Sequence, residues 1–297
     1  MKTKTKFSAI VFGVLLLGLQ ACTHADREEE VLPEPTPEEE TQAEKDLKAY
    51  NAASAVNGSK LYNDFTATET GFVAPANITL TDITSRKDFY RCKQCHAWDQ
   101  KARYGSYINR AATTTRPDVS SAQLTNLKYA DISVLFAKIK KTGGAAVSLT
   151  RTADGTNPSL GGNNHPDYGL ILTDALIWDL VKFLREGAFN TEELYTISTS
   201  GAYPTGTRTY SNLGMDGDAA AGDVFFASKC SGCHDTDGTG ITLGGKTLGD
   251  FTRTNPHEVQ HKVVSGQLGS SMGATPITLG QMKDLLKALD NTTNYPN

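Results

Sequence analysis

Two copies of one five-residue pattern, C-x-x-C-H, constrain this chain more than any other feature of its sequence. The first copy runs from Cys92 to His96 and the second from Cys230 to His234. On a helical turn the two thiols of each copy lie on one face, and the imidazole follows directly. This arrangement places the sulfurs to form thioethers with the two vinyl groups of a haem and the imidazole beneath the iron.

The sequence therefore predicts two covalently bound haem c groups. The expected thioether bonds come from Cys92, Cys95, Cys230 and Cys233, and the expected iron ligands include His96 and His234. A zinc site built from two C-x-x-C knuckles is the main alternative, but its pairs are ordinarily about 15 to 20 residues apart. Here well over a hundred residues intervene. A thioredoxin-type redox motif needs one pair and not two.

The N-terminus has the features of a secretion signal. Residues 1–21 begin with lysines at 2, 4 and 6 and continue with an apolar stretch over 7–19, too short to span a bilayer comfortably. Residues 19–22 then resemble the bacterial lipobox, in which Cys22 would be acylated and become the mature N-terminus. The alternative is an ordinary signal whose cleavage site adjoins a free cysteine. Export agrees with the haem prediction, because covalent haem c is assembled on exported chains.

A lipid at Cys22 implies a location in the cell envelope, facing the periplasm or the cell exterior. Thr23 favours the outer membrane over the inner one. Residues 22–47 are predicted to form an extended tether, because residues 26–46 hold ten acidic side chains against two basic ones and include three prolines. No basic stripe is present, so nucleic acid is not an expected partner.

The chain also repeats itself around the two motifs. Residues 173–184 align without gaps to residues 278–289, and each segment begins with an N-cap threonine followed by apolar residues at helical spacing. Upstream of each lies a helical pattern that ends in glycine, near residues 132–144 and 259–266. The order in both copies is helix, motif, long loop, helix with a glycine stop, distal loop and closing helix.

This order resembles class I cytochrome c over roughly residues 80–187 and 217–291. The second copy is closer to the family, since Gly222 and Phe226 precede Cys230 by eight and four residues. In the family that glycine lets the first helix cross the last closely. In the first copy the same offsets carry Thr84 and Asp88, so that domain is a divergent version.

The resemblance implies an all-α fold of two tandem class I cytochrome c domains with long loops. The expected boundaries are 48–190 for the first domain, whose residues 48–80 form an N-terminal extension, and 217–297 for the second. Residues 191–216 are the expected linker, in which two Thr- and Tyr-containing segments flank Pro204 and suggest a short β-hairpin.

The distal iron ligands follow from the same resemblance, because a class I domain carries its sixth ligand in the loop before the closing helix. Met272 stands six residues before Thr278, whereas Met282 falls inside the closing helix as a core residue. His257 and His261 are rivals, with a solvated or supporting role as their simpler interpretation. The first domain has no methionine in this loop, and His165 takes the place instead.

These assignments predict a membrane-anchored carrier that relays single electrons between redox partner proteins and is not an enzyme. Haem 1 is expected to be His/His and haem 2 His/Met, so haem 1 should have the lower potential. The main alternative is a dihaem cytochrome c peroxidase, although the 63 residues after His234 are few for its C-terminal domain. Thiosulfate dehydrogenase is a third alternative, but its catalytic haem takes a cysteine as distal ligand, and this chain has no further cysteine outside the two motifs and the N-terminus. A subunit of a larger oxidoreductase complex is a fourth alternative.

Overall fold

The fold is taken from a computed structural model that describes residues 39–65, 91–113, 118–120, 122–124, 129–140, 168–170 and 172–297. The predicted signal segment 1–21, Cys22 and His165 lie outside these residues. From Glu40 onward the described residues belong to one compact unit. None of their helices has the length and apolar character needed to cross a membrane.

The described part is mostly helical, in agreement with the all-α prediction, and contains one small sheet. Its first five helices are α1 Gln42–Ala52, α2 Ala55–Asp64, α3 Cys92–His96, α4 Ile132–Lys140 and α5 Asp174–Lys182, the last continued by a π turn at Phe183–Gly187. The other five are α6 Ala219–Lys229, α7 Ser231–His234, α8 Leu248–Thr254, α9 Pro256–Ser265 and α10 Leu279–Leu289. We call the described residues of 40–190 the N-terminal lobe and residues 191–297 the C-terminal lobe.

The sheet is an antiparallel hairpin of β1 Thr196–Ser200 and β2 Thr207–Ser211, with Ser198 paired to Thr209. It lies within the predicted linker and confirms the expected hairpin. The hairpin also contacts the N-terminal lobe, because Arg208 donates to Asn109 Oδ1 at 2.5 Å and the Tyr203 hydroxyl accepts from Val119 N at 3.3 Å. The hairpin, at the start of the C-terminal lobe, is therefore packed onto the N-terminal lobe.

Each lobe contains a close crossing of two helices at a glycine. In the C-terminal lobe, a Cβ placed at Gly222 of α6 would overlap the carbonyl oxygen of Asp284 in α10. In the N-terminal lobe, a Cβ at Gly58 of α2 would overlap the carbonyl oxygen of Asp179 in α5. Glycine is required at both crossings, because any side chain would push the helices apart.

The same two aspartates cap the helices that cross them. The Asp284 carboxylate accepts the backbone N–H of Asp218, the N-cap of α6, at 2.7 Å. The Asp179 carboxylate accepts the N–H of Ser54, the N-cap of α2, also at 2.7 Å. Both aspartates occupy the same place in the aligned closing helices, so α2 with α5 repeats the geometry of α6 with α10.

This repeat changes the interpretation of residues 48–80, which the sequence analysis treats as an N-terminal extension. Helix α2 is instead the counterpart of α6, with Gly58 and Tyr62 where α6 has Gly222 and Phe226. The positions that the family offsets had indicated, 84 and 88, lie outside the described residues.

The predicted tether also ends earlier than expected. Helix α1 begins at Gln42, inside the segment 22–47, and the Thr41 side chain accepts from Glu44 N while the Glu44 carboxylate accepts from Thr41 N. This capping box satisfies two N–H groups that a helix start otherwise leaves unpaired, and it fixes the point where the helix begins.

The apolar residues form separate clusters in the two lobes. In the N-terminal lobe Tyr62, Phe65, Tyr168, Ile177 and Leu180 are buried, and Cys92 packs against them. We call this the N-terminal cluster. The C-terminal cluster consists mainly of Leu194, Phe226, Val259, Val263, Met282, Leu285, Leu286 and Tyr295, with Cys230 and Met272 packed against it. The burial of Met282 confirms its prediction as a core residue.

We expect Gly222→Ala to destabilise the protein by about 1–3 kcal/mol, because the added methyl group overpacks the crossing of α6 with α10. The free energy of unfolding by denaturant measures the loss. Gly280→Ala on α10 is the matched control, since its Cβ meets nothing closer than Thr278 Oγ1 at 4.0 Å. Equal stabilities of the two variants would contradict the close crossing.

Candidate haem sites

The two C-x-x-C-H motifs adopt the same local backbone. The first forms α3, in which Ala97 N donates to Lys93 O at 3.0 Å, and the second forms α7, in which His234 N donates to Cys230 O at 3.0 Å. The residue after each histidine has a positive φ, 61° at Ala97 and 59° at Asp235, with ψ near 177° and 172°. Non-glycine residues rarely adopt this conformation, so its occurrence in both copies marks them as equivalent turns.

A backbone carbonyl holds the ring of the first histidine. His96 Nδ1 lies 2.5 Å from the carbonyl oxygen of Ala122, to which it donates. With Nδ1 carrying the proton, Nε2 keeps its lone pair for a metal. Burial lowers the pKa of His96 below its ordinary value, which favours the neutral imidazole that a metal requires.

The two thiols of the first motif are partly buried. Burial raises the pKa of Cys92 to about 11 and that of Cys95 to about 12. Cys92 Sγ lies 3.9 Å from the hydroxyl of Tyr168, itself a member of the N-terminal cluster. In the sequence Tyr168 is three residues beyond the predicted ligand His165. His165 itself lies outside the described residues.

The second motif is more open to solvent. Cys233 is exposed, whereas Cys230 is partly buried against the C-terminal cluster, and burial raises the pKa of Cys230 to about 11. Burial lowers the pKa of His234, as it does for His96. His234 Nδ1 is buried and has no hydrogen-bond partner within the described part of the chain. Among the described residues, no carbonyl accepts from His234 as Ala122 O does from His96.

Met272 lies in a loop that folds back onto the end of α9. Gly266 ends this helix with φ at 78°, and Gln267 N then donates to Met272 O at 2.9 Å. Thr275 N closes the loop by donating to Val263 O at 2.8 Å. The Met272 side chain is half-buried against the C-terminal cluster, as Cys230 is. The predicted ligand and the second motif thus border the same apolar region.

These residues fit a haem better than a bare metal ion. Within the described ranges, no three His, Cys, Asp or Glu side chains come together to hold a metal ion. Cys92 borders the N-terminal cluster and Cys230 the C-terminal one, whereas the zinc alternative needs all four thiols at one point. A haem brings four nitrogens of its own, so thiols for attachment, an apolar wall and one or two axial ligands are sufficient.

His257 and His261 are buried, which contradicts a solvated role, the first of the two simpler interpretations, and agrees with the second, a supporting role. They are 2% and 3% exposed, on the face of α9 opposite Val259 and Val263. His257 Nδ1 lies 2.9 Å from the hydroxyl of Tyr210 in the hairpin. The His261 ring stacks on Trp98 of the N-terminal lobe, with ring centres 3.5 Å apart. Sequence periodicity on α9 identified its apolar face but gave no sign of the second covered face.

No protein-family model, no curated protein and no solved structure matches this chain.

We expect the stability to fall as the pH is lowered from 6.5 to 4.5, and His257→Phe to weaken this dependence. Burial, with Arg208 nearby, lowers the pKa of His257 from 6.5 to about 3. Since the unfolded chain takes up a proton near pH 6.5 that the folded chain refuses, acid favours unfolding. Denaturant midpoints measured across this range give the slope.

The control is Asp131→Asn, which removes an exposed carboxylate whose pKa is lowered from 3.8 by its hydrogen bonds to Ser133. The Asp131 carboxylate titrates below this pH range, so its removal should leave the slope unchanged. A slope for His257→Phe equal to that of the unmodified protein would show that His257 is not buried as a neutral ring.

Proposed function

We propose that this protein is a dihaem c-type cytochrome that passes single electrons between redox partner proteins. The observation that carries the proposal is the duplicated C-x-x-C-H turn. Each copy is followed by a residue with the same positive-φ conformation, Ala97 or Asp235, and each borders the apolar cluster of its own lobe. Two such turns on one exported chain have a direct chemical use in holding two haems.

The proposal includes two tandem domains of the class I cytochrome c type. It is supported by the repeated pair of helices, α2 with α5 and α6 with α10, each with its glycine and its capping aspartate. A closing helix with an N-cap threonine, Thr173 or Thr278, follows in both copies. The class I fold of the first domain would then begin with α2, inside the expected boundaries 48–190 and before residue 80, where the resemblance was expected to start.

Each group in the sites has an assigned role. The cysteine sulfurs hold the macrocycle, His96 and His234 bind iron from one side, and the apolar clusters exclude water. When bound, the haems supply one-electron iron couples. We assign Met272 as the distal ligand of haem 2 and His165 as that of haem 1. With both irons saturated, no position is left for substrate, so the protein is a carrier and not an enzyme.

The two proposed haems differ in their distal ligands, and this difference gives the relay a direction. A thioether ligand raises the potential of a haem relative to a second imidazole. Haem 1 with two histidines therefore has the lower potential, and electrons run from the N-terminal to the C-terminal lobe. A lipid at Cys22 and the acidic segment after it would keep this relay at the membrane surface, in the cell envelope.

We expect the exported, matured chain to carry two covalent haems, measured by mass spectrometry and by haem absorbance. The double variant Cys92→Ala/Cys95→Ala should keep one haem, as should Cys230→Ala/Cys233→Ala, because each pair attaches its own group. Cys22→Ser is the control, which should keep both haems while releasing the protein from the membrane. Bound zinc in place of haem would overturn the proposal.

We expect one weak near-infrared band from methionine ligation in the oxidised protein, and Met272→His should remove it and lower the higher of two potentials. Met282→Leu is the control, since Met282 is a fully buried core residue of α10 and its loss should leave the band. Rapid turnover of hydrogen peroxide, with loss of a ligand from haem 1, would favour the peroxidase instead.

A further inference from the structure

Two aromatic rings meet face to face between the lobes. Trp98 belongs to the N-terminal lobe, two residues after His96, and is 8% exposed. His261 extends from α9 of the C-terminal lobe and lies over it, with ring centres 3.5 Å apart and planes inclined by 19°. Most aromatic pairs in proteins are about 4.5–7 Å apart and offset or tilted. This contact is therefore closer and more nearly parallel than usual.

Other contacts hold the two rings in place. Tyr62 lies beside Trp98, with ring centres 5.6 Å apart, and Phe183 presents its edge to His261 at 6.2 Å. Gln260 Nε2 donates to the carbonyl oxygen of Trp98 at 3.4 Å. His261 Nε2 is buried with no hydrogen-bond partner among the described residues. Hydrogen bonding at Nε2 thus does not explain why this ring lies here, whereas its stacking on Trp98 does.

The rings connect the surroundings of the two haem sites. On one side, only Ala97 separates Trp98 from His96, and the Tyr62 hydroxyl fixes this short path by donating to Ala97 O at 2.6 Å. On the other side, Val259 and Val263 of α9 belong to the C-terminal cluster, which Cys230 and Met272 border. The stack joins Trp98, two residues after the first motif, to α9, the helix that contributes Val259 and Val263 to the C-terminal cluster.

We propose that the Trp98–His261 stack is the contact through which the two haem sites exchange electrons. This inference rests on the proposed function. Electronic coupling falls steeply across gaps between non-bonded atoms and less steeply along covalent bonds and between touching π systems. The step is a single electron transfer, in which the iron of haem 1 is oxidised from Fe(II) to Fe(III) and that of haem 2 is reduced from Fe(III) to Fe(II). No bond or proton changes place.

The test uses the full-length, matured protein and measures electron transfer within one molecule. Flash photoreduction delivers less than one electron per chain, and absorbance follows its redistribution between the two haems. Haem content and both potentials are measured on every variant. Trp98→Leu and His261→Leu should slow the redistribution severalfold with both potentials unchanged. His261→Phe keeps a ring at the contact and should retain most of the rate.

His257→Leu is the matched control, because His257 is one turn earlier on the same face of α9 and stacks on Tyr210 instead of Trp98. Its rate should equal that of the unmodified protein. Equal slowing by His257→Leu and His261→Leu would overturn the inference, since a loosened interface would then explain both. An unchanged rate in both ring-removing variants would also overturn it.

Two further outcomes have distinct meanings. If an unmodified chain holds fewer than two haems, the proposed function itself fails, independently of the stack. If a leucine variant does not mature, Trp98→Phe is measured instead. Its smaller ring should lower the rate of electron transfer below that of the unmodified protein, with both potentials unchanged. A rate for Trp98→Phe equal to the unmodified one would count against the stack.

Discussion

In each lobe a glycine-containing helix crosses the closing helix closely, α2 over α5 and α6 over α10. The position of the rest of the lobe depends on this crossing. Gly222 lets α6 lie directly against the backbone of α10 at Asp284, and the same aspartate accepts the N–H of Asp218 at the start of α6. One residue of the closing helix thereby sets both the approach and the starting point of the first helix. Phe226 follows one turn after Gly222, and its carbonyl accepts Cys230 N at 2.8 Å. The position of the second motif depends on this crossing.

The N-terminal lobe reaches the same geometry with a much longer connection. Its motif begins 30 residues after Tyr62, whereas Cys230 follows Phe226 by four. In the C-terminal lobe α6 leads directly into the motif. In the N-terminal lobe side-chain hydrogen bonds connect α2 to the motif instead. The Tyr62 hydroxyl donates to Ala97 O, and Arg91, just before the motif, donates to Asn63 O at 2.6 Å. A tyrosine at this place, where the C-terminal lobe has phenylalanine, supplies the bond that the longer connection needs.

The sequence predicted features that depend on local spacing. It located the two motifs, the N-cap threonines of α5 and α10 and the glycine that ends α9, all of which the described structure contains. It placed α2 in an N-terminal extension of the first domain and did not identify it as the helix that crosses α5, because Cys92 follows Tyr62 by 30 residues, whereas Cys230 follows Phe226 by four. A search for the pair Gly58–Tyr62 as a repeat of Gly222–Phe226, without fixed spacing, would have found it.

The burial of His257 and His261 could not be predicted in the same way, since it depends on partners distant in sequence. These residues precede Val259 and Val263 by two, which is about half a helical turn, so the two pairs point in opposite directions. A polar face opposite an apolar one ordinarily meets solvent. Here Trp98 and Tyr210 cover it instead. Because α9 packs against both lobes, a movement of α9 would alter the surroundings of Cys230 and Met272 and the contact with Trp98 together.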